Sequence, residues 1–174
     1  MTEHPANALF LCTGNSARSI LAESLLTHWG RGMFKGYSAG SHPKGEVHPM
    51  ALDLLREMRM PMEGLRSKSW DEFAIPGAPV MDYVFTVCDN AAHEVCPIWP
   101  GHPITAHWGL PDPAAADGSP AEKMLAFREA FRVLELRIKY FLTFKFKALS
   151  RAQVQSAAAD VGRLWAGSAA RKSP

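Results

Sequence analysis

Cysteine is scarce in this sequence, which has only three among its 174 residues. So small and odd a number excludes a scaffold held together by disulfides. In a reducing compartment the three are structural thiols, metal ligands or catalytic groups. A chain of this length buries a substantial core without disulfides or a structural metal, so its size and composition predict one main domain.

A strong charge of one sign and a long apolar run are also lacking. The net charge is +2, which favours neither a nucleic acid nor a membrane surface as a partner. The apolar runs are too short to cross a bilayer, and the opening Met-Thr-Glu-His-Pro does not have the pattern of a targeting segment. We therefore expect a cytoplasmic protein, in which any specificity for an anion comes from a local site.

Short apolar runs alternate with helical patterns along the chain. The alternation predicts an α/β fold: a four-stranded parallel sheet in flavodoxin-like order, with helices on both faces and an extra C-terminal helix. Ligands of such sheets bind at the carboxyl ends of the strands, where we expect Cys12, Cys88 and Asp112 to meet. The predicted strands are 8–11, 34–39, 83–87 and 104–108, and the predicted helices are 20–29, 48–60, 120–146 and 150–165.

The first chemical motif is the segment from Cys12 to Ser19, Cys-Thr-Gly-Asn-Ser-Ala-Arg-Ser. A strand precedes it, small residues form it, and a helix begins at its arginine. A loop that wraps a tetrahedral oxyanion needs inward-facing backbone N–H groups and a helix N-terminus. Arg18 adds a planar fork for two oxygens. The predicted oxyanion-binding residues are Thr13, Gly14, Asn15, Ser16, Ala17, Arg18 and Ser19.

The same surroundings predict a lowered pKa for Cys12, and hence a thiolate nucleophile at neutral pH. The alternative is a small buried cysteine beside a turn, with Arg18 a solvated surface charge.

The second motif contains the other two cysteines, Cys88 and Cys96, with seven residues, 89–95, between them. If that segment is helical, their Cα atoms lie on the order of 12 Å apart, whereas a disulfide needs them within about 7 Å. Pairing would require the segment to unwind, as in a redox switch. Two alternatives remain: incidental thiols, or a zinc site with His93, whose spacing matches no known finger.

The motif Cys-x5-Arg-Ser after the first strand resembles the low-molecular-weight tyrosine phosphatases and their arsenate reductase relatives. In that superfamily the Cys is the nucleophile, the Arg binds the oxyanion and a distant Asp-Pro supplies the general acid, which Asp112-Pro113 matches. The pair Cys88 and Cys96-Pro97, followed by His107-Trp108-Gly109, is similar to the thioredoxin-coupled arsenate reductases. The resemblance implies a reductase domain over residues 1–147, and residues 148–174 form a C-terminal helical extension and tail.

The resemblance implies an enzyme that converts arsenate to arsenite, with phosphate as a substrate analogue and thioredoxin or a similar thiol as reductant. Cys12, Arg18, Cys88, Cys96 and Asp112 would be catalytic, with a Cys12 thiol–arsenate adduct followed by a disulfide relay. No cofactor is expected.

Two further possibilities follow from the resemblance. Some relatives bind potassium near the loop, and Asn15, Glu23 and Ser38 fall where its ligands would lie. Glu23 has the equally simple interpretation of facing solvent or capping the loop. The alternative activity is a phosphatase that hydrolyses phosphomonoesters through a phosphocysteine. Phosphotyrosine enzymes of this fold place aromatic residues after the Asp-Pro, whereas Ala114-Ala115-Ala116 suits a small inorganic anion.

Overall fold

The central sheet has four strands, all parallel, in the order β2-β1-β3-β4. The computed structural model describes residues 4–94 and 96–165. The predicted flavodoxin-like parallel sheet is confirmed. Its strands are β1 (Ala6–Cys12), β2 (Phe34–Gly40), β3 (Tyr83–Thr86) and β4 (Ile104–His107).

Five α-helices connect and cover these strands in the described part of the chain. They are α1 (Arg18–Trp29), α2 (Pro49–Glu57), α3 (Asp89–His93), α4 (Pro120–Phe141) and α5 (Arg151–Val161). Both α4 and α5 begin with a capping box, at Ser119 and at Ser150, as their sequences predict. None of the helices in residues 4–94 and 96–165 has the length and apolar character needed to span a membrane.

Alternate residues of β1 face two different apolar clusters, as the period of a strand requires. Ala8 and Phe10 pack into the larger cluster with residues of α1, α4 and α5. Its centre is aromatic: the rings of Phe85 and Trp108 stack with their centroids 4.1 Å apart. Leu9 and Leu11 face a smaller cluster on the other side of the sheet. Both faces of the sheet are therefore covered, as expected for a parallel sheet.

Three predicted helix ends were wrong, and the first is that of α2, which was predicted to reach Met60 and ends at Glu57. The helix predicted to reach Phe146 ends at Phe141, because the following aromatic side chains fold back onto it instead of extending it. The ring of Phe146 lies 5.2 Å from that of Phe141. The last helix, predicted to reach Trp165, ends at Val161.

The strand register places three chain segments at one edge of the sheet. Cys12 ends β1 opposite Gly40 of β2. Leu11, Thr86 and His107 lie side by side in β1, β3 and β4. The segments that begin just beyond them therefore converge at the carboxyl edge of the sheet.

Candidate active site

The loop after Cys12 turns its carbonyl groups outward. The oxygens of Thr13, Gly14 and Ser16 accept hydrogen bonds from backbone N–H groups outside the loop, each at 2.9 Å. In a planar trans peptide the C=O and the N–H point in opposite directions, so these units direct their amides toward the loop interior. The donors are His42, Lys44 and His48. The N-terminus of α1 lies at the end of this loop, which is the geometry expected of an oxyanion cradle.

Asn15 holds the shape of the loop from within. Its φ of 45° lies in the left-handed region, which asparagine tolerates better than most residues. Its buried side chain accepts from the backbone N–H of Lys68 at 2.8 Å and donates to the hydroxyl of Ser19 at 2.9 Å. Gly40 lies against the loop so closely that a Cβ there would be 2.5 Å from the carbonyl oxygen of Thr13.

Arg18 and Asp112 meet at the rim of this loop, as predicted. An Arg18 Nη2 lies 3.7 Å from Asp112 Oδ2, and Nη1 donates to the carbonyl oxygen of Leu110 at 2.9 Å. The Asp112 carboxylate also accepts from the backbone N–H of Ala114 at 2.9 Å. The hydrogen bond to Leu110 holds Nη1 in place. Because the guanidinium is planar, this one contact restricts the directions in which its other N–H groups can point.

The thiols of Cys12 and Cys88 interact directly, and the interaction raises the pKa of one and lowers the pKa of the other. A hydrogen bond from Cys12, with the Thr13 hydroxyl, the Ala91 amide and Arg18, lowers the pKa of Cys88 to about 5. Donation of a hydrogen bond to Cys88, together with burial, raises the pKa of Cys12, although Arg18 and the Gly14 amide act to lower it. The predicted lowering of the Cys12 pKa is therefore wrong, because Cys88 outweighs the loop.

Cys96 lies away from this thiol pair. Cys88 caps the N-terminus of the short helix α3 and belongs to the larger apolar cluster. Cys96 is half-buried and packs against the smaller cluster on the other side of the sheet. Burial and the charge of Glu94 raise the pKa of its thiol. All three cysteines are free thiols, and α3 stands between the second and the third.

His107 ties α3 to the end of β4. One ring nitrogen lies 2.9 Å from Asp89 Oδ1, and the other lies 2.7 Å from the hydroxyl of Thr86.

The zinc alternative has no support in the described residues, where no three His, Cys, Asp or Glu side chains are grouped to hold a metal.

A cleft of about 700 Å³ opens over Arg18, Cys88 and Asp112. No Phe, Tyr or Trp side chain of the described residues lines it. An aryl phosphate would therefore find no Phe, Tyr or Trp ring to stack on, only the His107 imidazole, whereas a small oxyanion needs no ring.

Glu23 lies behind the loop, half-buried beside the buried side chains of Ser38 and Lys68. The Ser38 hydroxyl donates to Glu23 Oε1 at 2.6 Å, and Lys68 Nζ lies 3.8 Å from the same oxygen. Burial raises the pKa of Glu23 and lowers that of Lys68. Glu23 thus already has a cation beside it, and potassium binding by Asn15, Glu23 and Ser38 stays a prediction.

Comparison with known proteins agrees with this geometry. The sequence model of the low molecular weight phosphotyrosine protein phosphatase family matches residues 7–156. The chain belongs to this family. The match covers the oxyanion loop, both further cysteines and Asp112, and it ends within α5.

Within the family, the similar proteins include arsenate reductases. One from Halalkalibacterium halodurans is 38% identical over 136 residues, which are 76% of this chain and 91% of that protein. One from Shouchella clausii is 36% identical over 132 residues, with the same coverage. Among solved structures, a thioredoxin-dependent arsenate reductase from Corynebacterium glutamicum has a TM-score of 0.61 at 26% identity, covering 82% of this chain. The chain spans only 62% of that longer chain.

Sequence reasoning missed three contributors to this family site. Lys68 and the carbonyl of Leu110 are far from the loop in sequence, at separations of 53 residues from Asn15 and 92 from Arg18. Arg137 is fully buried in α4. The last was detectable only as a charged residue at an apolar position of the helical pattern.

Proposed function

We propose that this chain reduces arsenate to arsenite with Cys12, Cys88 and Cys96 as its redox relay. The observation that carries the proposal is that the Cys88 thiol lies beside the oxyanion cradle, 3.6 Å from the Thr13 hydroxyl, where it interacts directly with the Cys12 thiol. A phosphatase needs one thiol there, and a second thiol in contact with the first is what a reductase uses to form a disulfide. Relatives named arsenate reductase support the same activity.

In the first step Cys12 passes its proton to Cys88, and its sulfur attacks the arsenic of an arsenate held by the loop amides and Arg18. Asp112 protonates the departing oxygen, which leaves as water, so that a Cys12–arsenic bond replaces one arsenic–oxygen bond. Arg18 is suited to this role because its fork can engage two oxygens at once. Phosphate would bind in the same place as an analogue.

In the second step Cys88 gives up the proton that it received, which the departing arsenite takes up, and the Cys88 thiolate attacks the sulfur of Cys12. A Cys12–Cys88 disulfide forms while the sulfur–arsenic electron pair passes to arsenic, which leaves as arsenite. Cys96 then attacks Cys88, forming a Cys88–Cys96 disulfide and releasing the Cys12 thiolate. A thiol reductant restores both thiols. Thioredoxin is the expected reductant, since a similar protein is named thioredoxin-dependent, and the reducing chemistry fits a cytoplasmic protein.

The attack of Cys96 on Cys88 requires helix α3 to unwind. Cys88 and Cys96 pack on different sides of the sheet, with α3 between them. A helix of five residues is short enough to melt at little cost. The hydrogen bond between Asp89 and His107, which holds α3 to β4, would have to break when the helix unwinds.

Replacing Cys96 by serine tests the relay. Arsenate-treated Cys96→Ser protein should accumulate a Cys12–Cys88 disulfide after one turnover, because nothing remains to attack it. Cys88→Ser is the matched control and should give no disulfide involving Cys12. Peptide mass mapping under non-reducing conditions detects both. If Cys96→Ser turned over with thioredoxin as fast as the unaltered protein, the three-cysteine relay would be wrong.

The alternative activity is a phosphatase acting through a phosphocysteine at Cys12, with Asp112 as the acid. The family name favours it, and the lack of Phe, Tyr and Trp side chains in the described lining of the cleft opposes it. An aryl-phosphate assay run beside a thioredoxin-coupled arsenate assay separates the two. A phosphatase would hydrolyse the ester well and would not respond to Cys88→Ser.

A further inference from the structure

Residues 162–164, called here the C-terminal segment, form part of the wall of the active-site cleft. Gly162 and Arg163, which directly follow α5, line it together with Arg18 and Asp112. Gly162 has a helical φ of −63° that any residue adopts. A Cβ there would overlap the carbonyl oxygen of His107. Close packing against β4, and not an unusual backbone angle, therefore requires this glycine.

Arg137 joins this segment to the loop that follows β4. Its Nη1 donates to the carbonyl oxygens of Trp108 at 2.7 Å and Gly109 at 3.2 Å, and its Nε donates to that of Leu164 at 3.0 Å. The indole N–H of Trp108 donates in turn to the carbonyl oxygen of Ala158 in α5, at 2.8 Å. One guanidinium thus bridges two segments that the sequence separates widely.

The position of Arg137 is costly for folding. The side chain is fully buried, and no carboxylate in the described part of the chain is paired with it. Burial lowers its pKa to about 10, so it stays charged at neutral pH. Buried charges without an ionic partner are rare, because taking a charge out of water is costly. The bridge therefore calls for a reason other than stability.

The loop that Arg137 grips leads directly to the oxyanion-binding side chain. Gly109 precedes Leu110, whose carbonyl oxygen accepts from Arg18 Nη1 at 2.9 Å. Asp112 follows two residues later and lies 3.7 Å from the same guanidinium. A shift of the backbone at Gly109 would move the carbonyl group of Leu110, which orients Arg18.

We propose that Arg137 is a positioning residue, which fixes the loop from Trp108 to Asp112 against the C-terminal segment and so orients Arg18 toward the oxyanion. The proposal rests on the proposed function in one respect, that Arg18 binds the substrate oxyanion. The C-terminal segment then contributes to oxyanion binding and does not only cover the core.

Calorimetric titration with inorganic phosphate tests the proposal, at a temperature where every variant is folded. Arg137→Met should weaken phosphate binding by about tenfold or more, since small misplacements of a binding group are costly. Arg137→Lys should restore part of the affinity, because an ammonium can still donate to one of the carbonyl groups. Arg132→Met is the matched control: it removes the same charge from the same helix, but from an exposed pair with Glu129, and should leave the affinity unchanged.

Gly162→Ala supplies a second perturbation that leaves every donor of Arg137 in place. It should displace the C-terminal segment from His107 and weaken phosphate binding in the same direction. If Arg137→Met fails to fold, the phosphate affinity of Gly162→Ala tests the proposal in its place. Unchanged phosphate affinity in folded Arg137→Met, or in folded Gly162→Ala when the first is not obtained, would overturn the proposal. Phosphate binding needs no turnover, so an unaltered protein that binds phosphate but does not reduce arsenate would refute the proposed function alone.

Discussion

The hydrogen bond between the two active-site thiols predicts a large change in the titration of Cys88 when Cys12 is replaced. That bond is the largest cause that lowers the pKa of Cys88 from its ordinary value of 9.0 to about 5. The difference corresponds to about 5 kcal/mol of preferential stabilisation of the thiolate, at roughly 1.4 kcal/mol per pH unit. Cys12→Ala removes the donor but leaves Thr13, the Ala91 amide and Arg18. The pKa of Cys88 should therefore rise most of the way toward 9.0.

Thiolate absorbance in the ultraviolet, followed as the pH is raised, measures this titration. Cys12→Ser is the matched control, because its hydroxyl still donates to Cys88 and should keep the pKa well below that of the alanine variant. Cys96 does not interfere, since burial and Glu94 raise the pKa of its thiol. Equal titration of Cys88 in the unaltered protein and in Cys12→Ala would show that the shared proton does not control the charge of the pair.

The same proton makes the stability of the fold depend on pH. Between about pH 5, where Cys88 titrates, and pH 9, the ordinary thiol value, the folded pair holds one proton and the unfolded chain holds two. Stability contributed by the pair should therefore increase with pH across this window and be lost as the pH falls through 5. Above the ordinary value the unfolded chain releases both protons while Cys12 keeps its own, so the contribution declines again. Denaturant unfolding of the unaltered protein and Cys12→Ala, compared across this range, measures the difference.

Two further substitutions test the loop and its support. Arg18→Lys keeps the charge but cannot hold both the carbonyl oxygen of Leu110 and two oxygens of the anion, so arsenate turnover should fall by about 100-fold; steady-state kinetics near the unaltered values would contradict this role. Lys68→Met leaves the half-buried Glu23 without its cation and should cost about 3 kcal/mol in denaturant unfolding, a cost that should shrink as the pH falls and Glu23 becomes protonated. Arg66→Met, which breaks an exposed pair with Glu72, is its control and should cost under about 1 kcal/mol.

Features that depend on neighbours in sequence were predictable. The oxyanion loop follows directly from a strand, small residues and a helix start within residues 12–19, and all of these signals are local. The sheet follows from alternating strand and helix patterns, because few topologies satisfy that order. Since parallel strands end at a common edge, placing Cys88 and Asp112 near Cys12 required only the order of the strands.

Features that depend on a distant partner were not predictable. The pKa of Cys12 was predicted in the wrong direction because local reasoning included Arg18 and the helix N-terminus but not the hydrogen bond that Cys12 donates to Cys88, 76 residues later in the chain. Lys68 beside Glu23 was missed for the same reason. The ends of α4 and α5 depend on how Phe146 and the last described residues pack, and helical periodicity does not contain that information.

One proton on two sulfurs accounts for both nucleophiles of the proposed relay. While Cys12 is a thiol, Cys88 holds the charge, and transfer of the proton along their hydrogen bond exchanges the roles without any proton leaving the site. Once Cys12 is bound to arsenic it no longer donates, so Cys88 becomes the second nucleophile only when its proton passes to the departing arsenite. Three of the contacts that favour its thiolate remain at that stage: the Thr13 hydroxyl, the Ala91 amide and the charge of Arg18. Arg18 therefore serves the oxyanion first and the second thiolate afterwards, which is why the loop that orients it matters to both steps.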